Sequence, residues 1–272
     1  MAYKNIETAI KNLERGRSFF SPLFDNFRDN EDIVLLAIKE GNYDDGQFPL
    51  DYSSDRLQND KSFNFKLVNL HRVSIGDIKP ILREERDIVF SAVKNNANDL
   101  YYINDNHKDD KDIILEALKQ NGYYLSHASD RLKNDKETVM FAINNNPVAL
   151  EYTGLTLRNN KEVVMAAVKQ KGEILNFASI NLKADKEVVL TAVQNYGMAL
   201  LFANKEFRND KEIVLEAVNQ NSSSLQYASN EIQELCKDND PVKVLKSAIL
   251  AEKLHKSISN KASQIPTKRI KI

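Results

Sequence analysis

The stretch "KADKEVVLTAV", Lys183–Val193, is written almost letter for letter again as "RNDKEIVLEAV" at Arg208–Val218, 25 residues further on. Repetition at a fixed period sets the frame for everything else in the chain. Asp110, Asp135, Asn160, Asp185 and Asp210 stand 25 residues apart without an insertion. Glu85 and Asp60 extend the series backwards through the weaker copies "ERDIVFSAVKNN" and "DKSFNFKLVNL". One more copy, "NEDIVLLAIKEGN", begins at Asn30 and carries about five extra residues around "DGQFP". Eight units therefore run from Asn30 to about Glu234.

Each unit is numbered from its Asp as slot 1. Slots 1 to 3 read Asp-Lys-Glu, a helix start in which Asp accepts from orphan N–H groups and Glu suits the positive end of the dipole. Slots 4, 5, 6, 8 and 9 are apolar, as in Ile113, Ile114, Leu115, Ala117 and Leu118. At about 100° per residue they cover an arc of roughly 200°, which predicts a helix touching neighbours on several sides. Slots 12 and 13 end it, as Asn121-Gly122, Lys171-Gly172, Tyr196-Gly197 and Asn146-Pro147. The glycines are expected to take the left-handed conformation past a helix end. Leu at slot 16 and a small residue at slot 19 then predict a second, shorter helical turn. A unit of this size cannot bury its own apolar arc, but stacked copies can. The expected fold is all-α: an α-solenoid of about eight 25-residue helical-hairpin repeats with helical caps.

The ends differ from the repeats. Ile6, Ala9, Ile10 and Leu13 form a one-sided amphipathic helix, so residues 1–29 read as an N-terminal cap before the array at 30–234. Asp240-Pro241, an N-cap with proline at N1, opens a capping helix within 235–255, and 256–272 reads as a loose tail. The chain is 42% hydrophobic and 28% charged with a formal net charge of −1, which provides no global field for nucleic acid or anionic membranes. No run approaches the roughly 18 apolar residues of a membrane span, and the N-terminus lacks the apolar core of a secretory signal. These features place the chain in a cytosol, with no membrane insertion. Cys236 is the only cysteine, so an intrachain disulfide is ruled out, and its expected role is a half-buried thiol filling a slot.

The unit "DKEVVLxAVxQNGxxLxxASxxLRND" resembles the DUF4116 family, a helical repeat of unknown function. The resemblance runs from about Asn30 to Glu234 and is strongest over Asp110–Ser229. Departures are Thr153-Gly154 where "AS" is expected, and the divergent segment "HRVSIGDIKPIL". The family carries no established catalytic residues to transfer. Its members occur in protists and among effectors that intracellular bacteria inject through type IV secretion. The resemblance thus implies a virulence setting, with delivery into a host cell without a cleavable signal peptide.

Chemistry-bearing motifs are sparse. His71, His107, His127 and His255 fall in four separate segments, and no HExxH, Gly-rich phosphate loop or G-x-S-x-G elbow occurs. No catalytic residue, metal ligand or cofactor is therefore expected. The Asp-Lys-Glu runs could suggest a carboxylate ladder for cations, but helix capping explains them without a ligand. Slot 18 is more informative: it holds Tyr102, His127, Tyr152, Phe177, Phe202 and Tyr227, with Tyr52 equivalent and Asp77 breaking the series. These rings either pack on the next repeat or line a groove for a peptide. A nucleic-acid stacking ladder would also need interleaved Arg and Lys, which the neighbouring slots do not supply consistently. Slots 7, 10, 14, 15, 17, 21 and 22 vary within the frame, as a recognition surface would. The tail "TKRIKI" is compatible with a nuclear-import or secretion signal and equally with a solvated terminus. The expected function is a monomeric, non-catalytic protein-binding scaffold whose partner is a host protein or a bacterial effector. The alternatives are an enzyme with a site inside the superhelix or near the odd loop 44–51, and a nucleic-acid-binding repeat protein.

Overall fold

In the computed structural model, residues 5–19, 21–41 and 48–263 are described. All regular elements among them are helical. The chain divides into two compact units, 1–133 and 134–272, and the division falls inside the repeat array. Both are stacks of the same motif, so the fold is an all-α solenoid.

Each repeat opens on a helix of nine or ten residues, as in Lys61–Asn69, Lys111–Gln120, Lys161–Gln170, Lys186–Asn195 and Lys211–Gln220. Slot 1 caps it as expected wherever it is Asp or Asn, as where the carboxylate of Asp185 accepts from the N–H groups of Glu187 and Val188, whereas the longer Glu85 makes no such bond. Slots 4, 5, 8 and 9 are fully buried, as in Val188, Val189, Ala192 and Val193. Slot 6 is only half-buried in Leu115, Leu190 and Leu215. The buried arc is therefore about 140° wide at 100° per residue, narrower than the apolar pattern suggests.

Slot 12 then turns extended, with φ −149 at Lys171 and −147 at Tyr196, and slots 13 to 18 form a 3-10 helix such as Gly172–Phe177 or Gly197–Phe202. Among the described residues of the repeats the expected left-handed glycine is found at Gly41 alone, φ +69, after the helix Glu31–Glu40; Gly16, φ +78, plays this part behind the cap helix Ile6–Glu14. At Gly172 and Gly197 glycine is needed for another reason. A Cβ there would overlap the carbonyl oxygen of Ala192 or Ala217, in the helix of the following repeat. The second element of the expected hairpin is thus the 3-10 turn. A third short piece, such as Leu155–Arg158, leads into the next cap.

Polar ladders hold successive repeats together within each unit. The slot-11 side-chain amide reaches back to the preceding repeat: Gln120 donates to the Val93 carbonyl at 2.8 Å and accepts from the Ala97 N–H at 2.9 Å. Asn195 does the same with Lys169 and Gly172. At slot 20, the Ser179 N–H donates to the Arg158 carbonyl at 3.0 Å and its hydroxyl to Asn159 at 2.6 Å. Gly154 stands where this serine should be, and the side chain of Asn134 occupies the space of the missing Cβ. Slot 2 bridges to slots 1 and 3 of the next repeat: Lys161 lies 2.8 Å from both Asp185 and Glu187, and Arg86 pairs with Asp110 and Asp112. The Asp-Lys-Glu run therefore caps its helix and links the repeats through charge.

In the divergent segment, the helix Lys61–Asn69 is followed by His71 in the left-handed region, φ 53, and by short 3-10 turns. Buried Asp99 ties this segment down by accepting from the Ser74 hydroxyl at 2.5 Å and from the Ile75 N–H. Burial pushes its carboxyl above the usual range.

At the ends, the cap helix Ile6–Glu14 buries Ala9 and Leu13. Asp240 caps the last helix, which runs Pro241–Ser263 and passes the expected end at His255. The segment from Lys256 to Ser263, expected to be loose, has no glycine or proline to stop propagation. The rest of that tail, with "TKRIKI", lies outside the described residues, as does 44–47 of the odd loop. Among the described residues no helix is long and apolar enough to cross a membrane.

Two outcomes are expected. Gly172→Ala should destabilise the fold by about 1–3 kcal/mol, the scale of overpacking, read as a lower denaturant midpoint; an unchanged midpoint would contradict the close approach. Ion pairing with Arg86 and Lys161 holds Asp110 and Asp185 below the usual carboxylate range. Because the folded values are lowered, this stabilisation is complete above about pH 5, well clear of the unfolded carboxylate value, and is lost as pH falls through the folded values. The melting temperature should stay level from about pH 7 to 5, then drop, and the drop should be shallower in Lys161→Met.

Candidate functional site

The 3-10 turn begins at slot 13 because extended slot 12 caps it, as where the Asn121 side chain accepts from the Tyr123 N–H at 2.9 Å. This places slots 14, 17 and 18, with slot 21 of the following short piece, along one edge of each repeat. The slot-18 rings sit on that edge as a series. Tyr102 is 53% exposed, whereas His127, Tyr152, Phe177, Phe202, Tyr227 and Tyr52 are half-buried.

Where their contacts are defined, the rings turn toward the preceding repeat, not the next one. Tyr52 lies under the Arg28 guanidinium at 3.7 Å and meets Phe19 edge-on. A Cβ on Gly76 would stand 3.1 Å from three ring carbons of Tyr102, so that ring rests against bare backbone. His127 meets Tyr101 edge-on at 4.5 Å. Burial, and then Lys108 and Lys133, hold the His127 imidazole below its usual range.

The sequence reading missed slot 24. It carries a long hydrogen-bond donor throughout: Gln58, Arg83, Lys108, Lys133, Arg158, Lys183, Arg208 and Gln233. Gln58 donates to the carbonyls of Asp51 and Ser53, Arg83 to Gly76 and Ile78, Arg158 to Glu151 and Thr153, and Gln233 to Gln226 and Ala228. These are slots 17 and 19 of the same repeat. In these four repeats the donor therefore satisfies the free carbonyls at the end of the 3-10 turn. Slot 24 is thus cationic from Arg83 to Arg208, but the Arg83 and Arg158 guanidiniums turn inward onto backbone carbonyls. The signal was legible as a long donor one residue before each "ND" or its equivalent.

Between successive slot-24 side chains runs a shallow groove, floored by slots 17 to 21 of the next repeat. It appears as a cavity of about 290 Å³ bounded by Gln58, Gly76, Asp77, Pro80 and Arg83. It recurs at about 340 Å³, bounded by Lys205, Arg208, Tyr227, Ser229 and Gln233.

The other candidates are accounted for by packing. Cys236 is buried, its thiol pushed up by desolvation. Among the described residues, no group of three or more His, Cys, Asp or Glu could hold a metal ion.

A family model described as "Domain of unknown function (DUF4116)" matches residues 85–133, 114–157, 135–183 and 185–233, more than half of the chain. Among curated proteins and solved structures, none matches.

Slot 24 yields a paired test. Arg158→Ala should cost about 1–2 kcal/mol by orphaning two carbonyls, whereas Arg158→Gln, which copies Gln58 and Gln233, should stay close to the parent in a urea melt. Equal losses would contradict the assignment.

Proposed function

The chain belongs to the DUF4116 family, a domain of unknown function, and we propose that it is a non-catalytic α-solenoid scaffold that binds another protein along the edge of its 3-10 turns. The observation that carries this reading is where large apolar side chains stay exposed. Of the nine exposed large apolar side chains among the described residues of the array, six fall at slots 14, 17, 18 or 21: Tyr101, Tyr102 and Tyr123 in residues 1–133, and Leu155, Ile180 and Leu201 in residues 134–272; Leu70, Ile81 and Phe141 lie at other slots. Slots 4, 5, 8 and 9 bury their side chains in every repeat, so the exposure on this edge is not a failure of packing. Exposed aromatic groups on the 3-10 edge of the first unit and aliphatic groups on that of the second suit a partner interface.

On this reading the half-buried rings His127 in the first unit and Tyr152, Phe177, Phe202 and Tyr227 in the second form the floor of each unit's edge, and the exposed Tyr102 makes first contact with the other exposed neighbours. The protein works as a monomer in a cytosol and needs no cofactor. The family setting points to an injected effector, or to a regulator that holds another effector. Its partner is then a host protein or a bacterial effector. Nucleic acid fits less well, because the formal net charge is −1 and Arg83 and Arg158 are turned onto backbone carbonyls.

The test is capture from a eukaryotic lysate with mass spectrometry, using the parent and a Tyr101→Ala, Tyr102→Ala double variant. One stoichiometric protein is expected, and the variant should bind it more weakly by about 2 kcal/mol, the scale of an interface hot spot. Its melt should move little. Weak recovery alongside a chemically modified lysate protein would favour catalysis and sink the scaffold reading.

A further inference from the structure

The edge within residues 134–272 departs from the others in two respects. Slot 21 is polar or charged in most repeats, as Asp105, Asp130, Lys205 and Asn230. In two consecutive repeats it is Leu155 and Ile180, which are 81% and 84% exposed. Neither contributes to the core, and the neighbouring repeats show that the position tolerates a charge. The nearby slot-17 residue Leu201 is a further 45% exposed.

The second departure is charge. Lys183, Lys205 and Arg208 stand on the following turns, and no ion pair engages any of them among the described residues. The Arg208 Nε is buried without a hydrogen-bond partner. Lys205 and Arg208 bound the groove of about 340 Å³ that Tyr227 also lines, and no carboxylate lines it. The nearby Glu231 accepts from Asn209. Burial holds the Lys183 ammonium below its usual range, as expected of a cation without a counter-ion. By repeat equivalence, the groove one step earlier lies between Ile180 and Lys183 on one side and Leu201, Phe202 and Lys205 on the other.

We propose that this edge is a docking track for an acidic, leucine-type peptide segment, whose apolar side chains rest on Leu155, Ile180 and Leu201 and whose carboxylates pair with Lys183, Lys205 and Arg208. The assignment rests on the scaffold reading above and names the chemistry of its partner. Charge complementarity fixes the choice: three unpaired cations beside an apolar step select acidic over basic peptides. Repeats stacked at roughly 10 Å make three of them about 30 Å long, within the reach of about 12 extended residues.

The test is fluorescence anisotropy on the full chain with a labelled peptide of about 12 residues, leucines at intervals separated by glutamate and serine. Two counterparts carry lysine for glutamate or serine for leucine. The first peptide should bind roughly tenfold or more tighter than either counterpart, and its binding should weaken as salt is raised. Lys205→Glu alone, and Leu155→Ser with Ile180→Ser, should each weaken it roughly tenfold with unchanged melts, since all three side chains are exposed. Equal binding of the three peptides, no binding, or variants that bind like the parent would overturn the proposal. If that happens while one stoichiometric lysate protein is still captured, the scaffold reading stands and this surface is wrong. Loss of both results overturns the scaffold reading as well.

Discussion

The slot-11 amide is the contact on which the stack depends. A ten-residue helix leaves its last carbonyls open, and the 3-10 turn that follows leaves its first N–H open. One side chain from the next repeat closes both, as Gln120 does for Val93 and Ala97, and Asn195 for Lys169 and Gly172. The carbonyl and the N–H lie close enough together only if the two helices sit in one register. That register brings Gly172 against the Ala192 carbonyl, so glycine at slot 13 follows from the same constraint. Lys161 then meets Asp185 and Glu187 without further adjustment. A repeat taken alone would expose its apolar arc and orphan both backbone groups, which is why stability here belongs to neighbours.

This arrangement separates frame from surface. The slots that carry hydrogen bonds and burial leave slots 14, 17 and 21 free to vary without loss of the stack. Slot 24 sits between the two roles. As Arg158 it is consumed by carbonyls of its own turn, while among the described residues no ion pair engages Lys183 or Arg208, which remain available to a ligand. A groove so shallow suits an extended chain better than a small molecule, and its affinity would come from adding weak contacts across repeats.

The sequence was most legible where one residue type serves a local purpose. The Asp caps, the eight long helices and the buried slots 4, 5, 8 and 9 follow from propensity and periodicity alone. The glycines were misread because a left-handed turn and a close backbone approach select the same residue, and only the position of Ala192 or Ala217 separates them. The Asp-Lys-Glu run hid its second role for a similar reason: capping is local, whereas Lys161 finds Asp185 only in the stacked register. The rings were legible as a series but not in direction, since nothing in the spacing says that Tyr102 turns back onto Gly76. The exposure of Leu155 and Ile180 was legible only in part, as slot 21 was marked variable while its hydrophobic pair went unnoticed.

The central claim is that stability and recognition occupy different slots of one repeat. A saturation scan of proteolytic stability across residues 135–234 tests it most directly. Substitutions should register strongly at slots 4, 5, 8, 9, 11 and 13, and polar replacements of Leu155, Ile180 and Leu201 should pass almost unnoticed. Losses at Leu155 and Ile180 as large as those at Val164 and Val189 would show that these side chains belong to the core, and would contradict the account.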